Sequence, residues 1–466
     1  MPDIDLVLLR ERAQAGDTES QYELGLRYAE GEGVPQSEST AYRWLLRAAE
    51  ARHAEAMAEV GRCLHDGTGV DVELGRALSW YEQALDAGAR SVHADLGRLL
   101  IDEQVPARDP ERARSVLEDG WELQGDSECA GLLAELFEDV HGDTDAAILW
   151  ARRAAEAGDD ASMVTLGYRH RYGLGLPRDF RAMVAWYERA AERGCATALS
   201  NLALCYQKGE GVRADEAKAF TLMERAAAVG HDRARTWIAF AHVDGIGCDR
   251  DPVRGRELLE ELAPADPEIA HDLADRLIDG PGLERDLRAG LRWMRRAADE
   301  GYPPAHTYLG VLHWYGRHVD PDRERALEYY RHAAELGEPY ATGNLGFALL
   351  EGEGVTQDRT QGFEFIERAG GLGNAHAALW LAERLLSGEE EGLARDEAAA
   401  VRVLEACTEN EEDGDALFLL AELVRDGRGT PSDPGRALEL FTLAGLDGRD
   451  TRVEEAVLRR ALRIGD

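Results

Sequence analysis

The sequence predicts an all-α solenoid of about 11–12 helix-turn-helix repeats of 36 residues. Two sets of small residues keep the interval. Gly25, Gly61 and Gly97 are 36 apart, as are Gly167, Ala203 and Ala239, and then Ala274, Gly310, Gly346 and Ala382. Gly158, Gly194 and Gly230 repeat the step, followed by Gly301, Gly337 and Gly373. Every member of the first set follows a large apolar residue on one helical stripe. A fixed period of this length marks stacked units that cannot bury their apolar faces alone, and such arrays work by presenting a long surface.

Composition is consistent with that reading. The 466 residues are 44% hydrophobic and 31% charged, ordinary for a globular chain. No apolar run is long enough for a membrane span, and Met1 to Asp5 lack a basic and then apolar leader, so the expected compartment is the cytoplasm. The six cysteines do not recur within the repeat, which predicts free thiols. Net charge is −37, and Lys208 and Lys218 are the only lysines. So acidic a surface repels phosphate backbones and argues against nucleic acid or an anionic membrane as partner. It favours a basic partner, or serves solubility. The arginine, alanine and glycine bias matches a GC-rich bacterial coding sequence.

The elements follow in order. Residues 3–16 read as a lone second helix covering the first copy, a cap over residues 1–16. Residues 17–448 hold the repeats. The copy at 195–230 shows the unit: Ala198, Leu199, Leu202, Ala203 and Tyr206 stripe a first helix. Gly209-Glu210-Gly211-Val212 ends it, because glycine tolerates the left-handed geometry of helix ends. Asp215 is the expected cap of a second helix whose inner face is Ala219, Phe220, Met223, Ala226 and Ala227. Asp109-Pro110, Asp251-Pro252 and Asp433-Pro434 open second helices elsewhere. Trp44, Trp80, Trp186 and Trp293 are expected to fill the seam between successive pairs, and Gly61, Gly167, Gly310 and Gly346 to admit close helix approach. The copies over 89–158 are degenerate: Asp102 to Pro106 replace a glycine loop, and the chain shortens around Asp139 to Asp145. Cys407 to Asp415, with Glu409, Glu411, Glu412 and Asp413, lengthen the last step. Arg452 to Ile464 predict a capping helix within 449–466.

Leu24-Gly25, Tyr28, Gly31-Glu32-Gly33-Val34, Ala41, Trp44-Leu45 and Ala48-Ala49 form one pattern. It returns as Leu166-Gly167, Tyr172-Gly173-Leu174-Gly175, Trp186-Tyr187 and Ala190-Ala191, and again as Asn344-Leu345-Gly346 with Gly352-Glu353-Gly354-Val355. The pattern resembles the Sel1-like repeat family, relatives of the tetratricopeptide repeat. The resemblance implies a right-handed α/α superhelix that acts as an adaptor or scaffold for protein–protein contacts, without naming a partner.

Chemistry is not where the sequence points. The recurring Gly-x-Gly never extends to a nucleotide loop and follows helices, so helix termination explains it. No nucleophile, metalloprotease or paired Cys-x-x-Cys motif occurs. His306, His313, His318 and His332 are the densest histidines, without the neighbouring ligands a zinc site needs. The expectation is no catalytic residue, no metal and no cofactor. Aligning the Leu-Gly positions with tetratricopeptide-like folds, first helices would line a concave groove. That register places Tyr168, Arg171 and Tyr172, then Asn201, Arg233, Phe240, Trp314, Tyr315, Tyr340, Asn344 and Phe347 on the partner-binding wall. Trp314 is the expected hot spot. The earlier copies would offer Glu19, Glu55, Glu135, Glu138 and Asp139. The expected function is an adaptor holding a peptide or partner domain; the alternative is an acidic inhibitor or immunity-type protein masking a basic toxin or enzyme. Self-association is left open.

Overall fold

The computed structural model describes residues 4–105, 108–410, 413–446 and 449–462. Pro106 of the altered loop, Glu411 and Glu412 of the lengthened step, and Ile464 lie outside the described residues. Among the described residues there are 26 α-helices and no strand. The chain divides into two compact units, Met1–Ile238 with Ile246–Asp249, and Ala239–Gly245 with Arg250–Asp466.

In the first unit α1 (Ile4–Gln14) precedes alternating first and second helices. These are α2 (Thr18–Glu30) with α3 (Glu38–Glu50), α4 (Ala54–Asp66) with α5 (Leu74–Asp86), and α6 (His93–Ile101) with α7 (Pro110–Gln124). They continue as α8 (Ser127–Asp139) with α9 (Thr144–Ala157), α10 (Asp160–Tyr172) with α11 (Phe180–Glu192), and α12 (Ala196–Lys208) with α13 (Glu216–Ala228). The helix α14 (Asp232–Asp244) belongs to the first unit up to Ile238 and to the second thereafter. The second unit continues with α15 (Pro252–Leu262), α16 (Pro267–Ile278) with α17 (Leu287–Asp299), and α18 (Pro303–Tyr315) with α19 (Arg323–Glu335). It closes with α20 (Pro339–Glu351) and α21 (Arg359–Gly371), α22 (Ala375–Ser387) and α23 (Glu397–Asn410), α24 (Gly414–Asp426) and α25 (Pro434–Leu446), and α26 (Arg452–Ala461). Within each unit the two members of a pair pack together; α1 packs on α2 and α26 on α25.

Local chemistry sets the helix limits. Asp17 accepts from the Ser20 amide at 3.0 Å, Asp109 from Arg112 at 3.0 Å and Asp215 from Lys218 at 2.9 Å. Gly31, Gly209 and Gly352 end their helices at φ of 79°, 73° and 70°. α6 has no such glycine. It stops at Ile101, with extended Asp102 following.

The glycines of the 36-residue set face side chains of the paired second helix. A Cβ on Gly61 would stand 2.5 Å from the Tyr81 ring, and one on Gly310 2.5 Å from the Tyr330 ring; Tyr187 covers Gly167 in the same way. The covering residue is 20 positions on. Leu45 and Ile366 take that place over Gly25 and Gly346. Where alanine replaces glycine, at Ala203 and Ala274, the residue 20 positions on is the smaller Met223 or Met294, buried in the same cluster. Tyr81, Tyr187 and Tyr330 are among the largest fully buried side chains, each contributing about 1.5–3 kcal/mol by burial.

The tryptophans pack against the core clusters beside this contact and do not cover the glycine. Trp80 and Trp186 directly precede Tyr81 and Tyr187 and are only half-buried, as are Trp44 and Trp293. A helical step of one residue turns them about 100° away from the glycine. An arginine three residues on lies over three of them: Arg47 on Trp44 at 4.6 Å, Arg189 on Trp186 at 4.5 Å, Arg296 on Trp293 at 5.5 Å. Arg189, and arginines at the matching place in other copies, also reach back one copy. Arg189 donates to the Ala155 carbonyl at 3.4 Å, Arg225 to Ala191 at 3.1 Å and Arg368 to Ala334 at 3.1 Å. Each thus tethers the carboxyl end of the preceding second helix, where carbonyls lack partners and the helix dipole is negative.

The Gly-x-Gly loops also do more than stop helices. Their second glycine, at φ 74° in Gly211 and 73° in Gly429, lies against the start of the preceding copy's second helix, at Phe180 and Glu397. In the ninth copy His318 takes this position at φ 64° and bonds the Asp279 carboxylate at 2.9 Å.

Candidate functional site

A cavity of about 580 Å³ opens in the first unit between α8 and α10. α8 belongs to the degenerate copy, and Gly131 leaves the floor open, since a Cβ there would approach nothing closer than 3.6 Å. Glu128, Glu135, Glu138, Asp139 and Asp159 line it against only two cations, Arg98 and Arg169. Three of the carboxylates are engaged. Arg98 pairs with Glu128 at 2.5 Å, Arg169 with Glu138 at 3.0 Å, and Asp159 caps α10 through the Ser162 amide at 2.6 Å. Glu135 and Asp139, one helical turn apart, are left facing the opening. Burial, and then the Asp139 charge, push the Glu135 carboxyl above the usual carboxylate range. A cation entering the cavity would offset the Asp139 repulsion and compensate the desolvated carboxylate with its own charge.

α10 carries the site outward. Ala161, Thr165, Tyr168 and Tyr172 form its exposed stripe; the first two line the cavity. Tyr168 and Tyr172 are 51% and 55% exposed, with ring centroids 4.6 Å apart. Arg171 lies beside the Tyr172 ring at 5.6 Å but is held by Glu210 at 2.8 Å. The structure therefore joins Tyr168, Arg171 and Tyr172 into one patch continuous with the acidic opening. Glu19 and Glu55 do not contribute. Glu19 pairs with His53 at 3.2 Å, and Glu55 accepts from the Ser91 hydroxyl at 2.5 Å.

The other expected wall residues are dispersed. Asn201 is half-buried on α12, and Arg233 is exposed in the first turn of α14. In the second unit Phe240 lies under Arg276 at 4.8 Å. Trp314 is half-buried, with Arg323 over its ring at 4.1 Å and Tyr330 at 6.1 Å. Asn344 lies beside the Tyr330 hydroxyl, and Phe347 meets Trp380 edge-on at 5.2 Å. Tyr315 and Tyr340 are exposed. Sequence reasoning missed Arg98, Gly131, Asp159 and Arg169, whose convergence depends on how α8 and α10 are spaced. Among the described residues no three His, Cys, Asp or Glu side chains are placed to hold a metal ion, and no helix is long and apolar enough to cross a membrane.

The pattern described as Sel1 repeat matches residues 18–53, 54–88, 138–159, 161–195, 196–231, 233–263, 267–302, 303–338, 339–374 and 414–448. The unmatched stretch 89–137 holds α6 to most of α8, including much of the cavity. No curated protein matches the sequence. Among solved structures, the chain is similar to a protective antigen of uropathogenic Escherichia coli displaying an SLR fold. Identity is 24%, over 98% of this chain and 91% of that one, with a TM-score of 0.52. It is also similar to a Sel1 repeat protein from Oxalobacter formigenes, at 24% identity over 68% of this chain and 89% of that one, with a TM-score of 0.42. With ten matched repeats over most of its length and paired helices throughout both units, the chain belongs to the Sel1 repeat family.

Proposed function

We propose that this protein is a non-catalytic scaffold whose first unit holds a basic, partly apolar segment of a partner protein. The repeat fold is of the kind that generally mediates protein–protein contact. The observation that carries the finer reading is the α8–α10 cavity, with five carboxylates against two guanidiniums, continued by the exposed Tyr168–Tyr172 pair. An arginine or lysine side chain would enter between Glu135 and Asp139, and a neighbouring apolar residue would cover the tyrosines. Arginine suits the site best, because its planar fork can bond two carboxylates and its weak hydration lowers the cost of entry.

A cytoplasmic adaptor and an acidic inhibitor of one basic toxin or enzyme both use this geometry. The net charge of −37 favours salt-sensitive association in either case. The inhibitor reading requires one tight partner, the adaptor several weaker ones. Arginine-bearing and charge-reversed synthetic peptides, titrated against the protein, test the site. Glu135→Lys with Asp139→Lys should weaken the arginine peptide by tenfold or more and flatten its salt dependence. Tyr172→Ala should cost about 2 kcal/mol if the ring is a hot spot. Equal affinity for both peptides, or an unaffected charge variant, would remove the proposal.

A further inference from the structure

Two histidines in the second unit are buried without a use in binding. His306 and His313, two turns apart on α18, are 8% and 7% exposed. The His306 ring nitrogens make no well-formed hydrogen bond, with only the Ala298 carbonyl beside them, and Nδ1 of His313 has no partner among the described residues. Both lie in the seam with α19. The His306 ring meets His332 at 4.6 Å and Tyr329 at 6.0 Å, while His313 stacks on Tyr329 at 5.8 Å. As neutral imidazoles they fill this seam as flat rings. As imidazolium ions they would be buried cations lacking a counter-ion in contact.

The surrounding charges do not provide one. From α19, His332 faces His306 and Arg325 faces His313, both opposing protonation. From α17, Arg295 opposes it at His313, whereas the Ala298 carbonyl and Asp299 favour it at His306. From the loop before α19, the Asp320 backbone carbonyl and the Asp322 charge favour protonation of His313. On the α20 side, buried Glu338 is engaged by the Thr307 hydroxyl at 2.7 Å and the Ala341 amide at 2.5 Å. Desolvation outweighs the favourable groups at both sites and holds each imidazole below the usual histidine range.

We infer that the seam between α18 and α19 is an acid-sensitive latch, closed while His306 and His313 are neutral and loosened by their protonation. The unfolded imidazoles bind protons near pH 6.5 and the folded ones only at lower pH. The contribution is therefore fully present above about pH 6.5 and is lost as pH falls toward the folded values. Over that interval each histidine lowers the closed-to-open ratio by up to about tenfold per pH unit. Opening would release Trp314, which is held by Arg323 and Tyr330 of the same seam.

Amide hydrogen exchange on the full chain tests the latch, at about pH 7.5 and about pH 5.5 with intrinsic rates corrected. Protection in α18 and α19 should fall about tenfold or more relative to α10 and α11, the expectation for one or both imidazoles titrating. In His306→Phe/His313→Phe that differential fall should vanish. His306→Gln/His313→Gln is the second variant if the larger rings disturb packing. An unchanged wild-type seam, or an equal fall in a variant folded at neutral pH, overturns the inference. So does an NMR titration in which both imidazoles protonate at or above the usual histidine pKa.

Discussion

Gly211→Ala should destabilise its copy by about 2–5 kcal/mol. The left-handed backbone at φ 74° contributes about 1–2 kcal/mol of this, and overpacking another 1–3. A Cβ at this position would overlap the Phe180 carbonyl, which belongs to the backbone of the preceding copy and cannot rotate away. Gly209→Ala is the control. It has the same backbone strain at φ 73°, but its Cβ would meet nothing closer than the Ala214 Cβ, at 3.4 Å. Its cost should stay at about 1–2 kcal/mol. Hydrogen exchange resolved by helix measures both, because a stacked array need not unfold in one step. Lost protection should reach α11 in Gly211→Ala and remain near α12 and α13 in Gly209→Ala. Equal effects of the two substitutions would show that the second loop glycine is not an inter-copy contact.

The second large effect lies inside a pair. Gly167→Ala should cost about 1–3 kcal/mol, because Tyr187 already occupies the space a methyl group would need. Tyr187→Met alone leaves part of that space empty and should cost about 2–4 kcal/mol, near the large-to-small range for buried rings. The double variant recreates the alanine and methionine found at Ala203 and Met223. It should recover a coupling energy of about 1–3 kcal/mol, measured by a denaturant double-mutant cycle. Additive losses would mean that the exchange at a spacing of 20 residues is coincidental.

Much of the fold was legible because the signals are local. Helix caps and terminating glycines concern residues a few positions apart, and the 36-residue period is written along the chain itself, so Gly25 through Ala382 located the first helices directly. Bulk alone did not show which ring covers the glycine: the turn of the helix gives that place to Tyr81 and Tyr187, while Trp80 and Trp186, one residue earlier, pack beside it. Gly211 looked like a helix stop because its second contact, Phe180, lies in another copy. The candidate site was legible in part. Tyr168, Tyr172, Glu135, Glu138 and Asp139 could be placed on first helices from register alone. Their convergence with Arg98 and Arg169 around an opening could not, since volume depends on the spacing of α8 and α10. Trp314 stood out by size, yet Arg323 and Tyr330 draw it into packing.

The tethers made by Arg189, Arg225 and Arg368 all point backward, from a later copy to an earlier helix end. The array therefore has a polarity that the repetition of its modules does not advertise. Trimming modules from the rear strips the new last helix of its donor and leaves bare carbonyls, whereas trimming from the front merely frees a guanidinium that water can solvate. Shortened versions should tolerate loss of leading modules better than loss of trailing ones, and melting temperatures of matched truncations would reveal that bias.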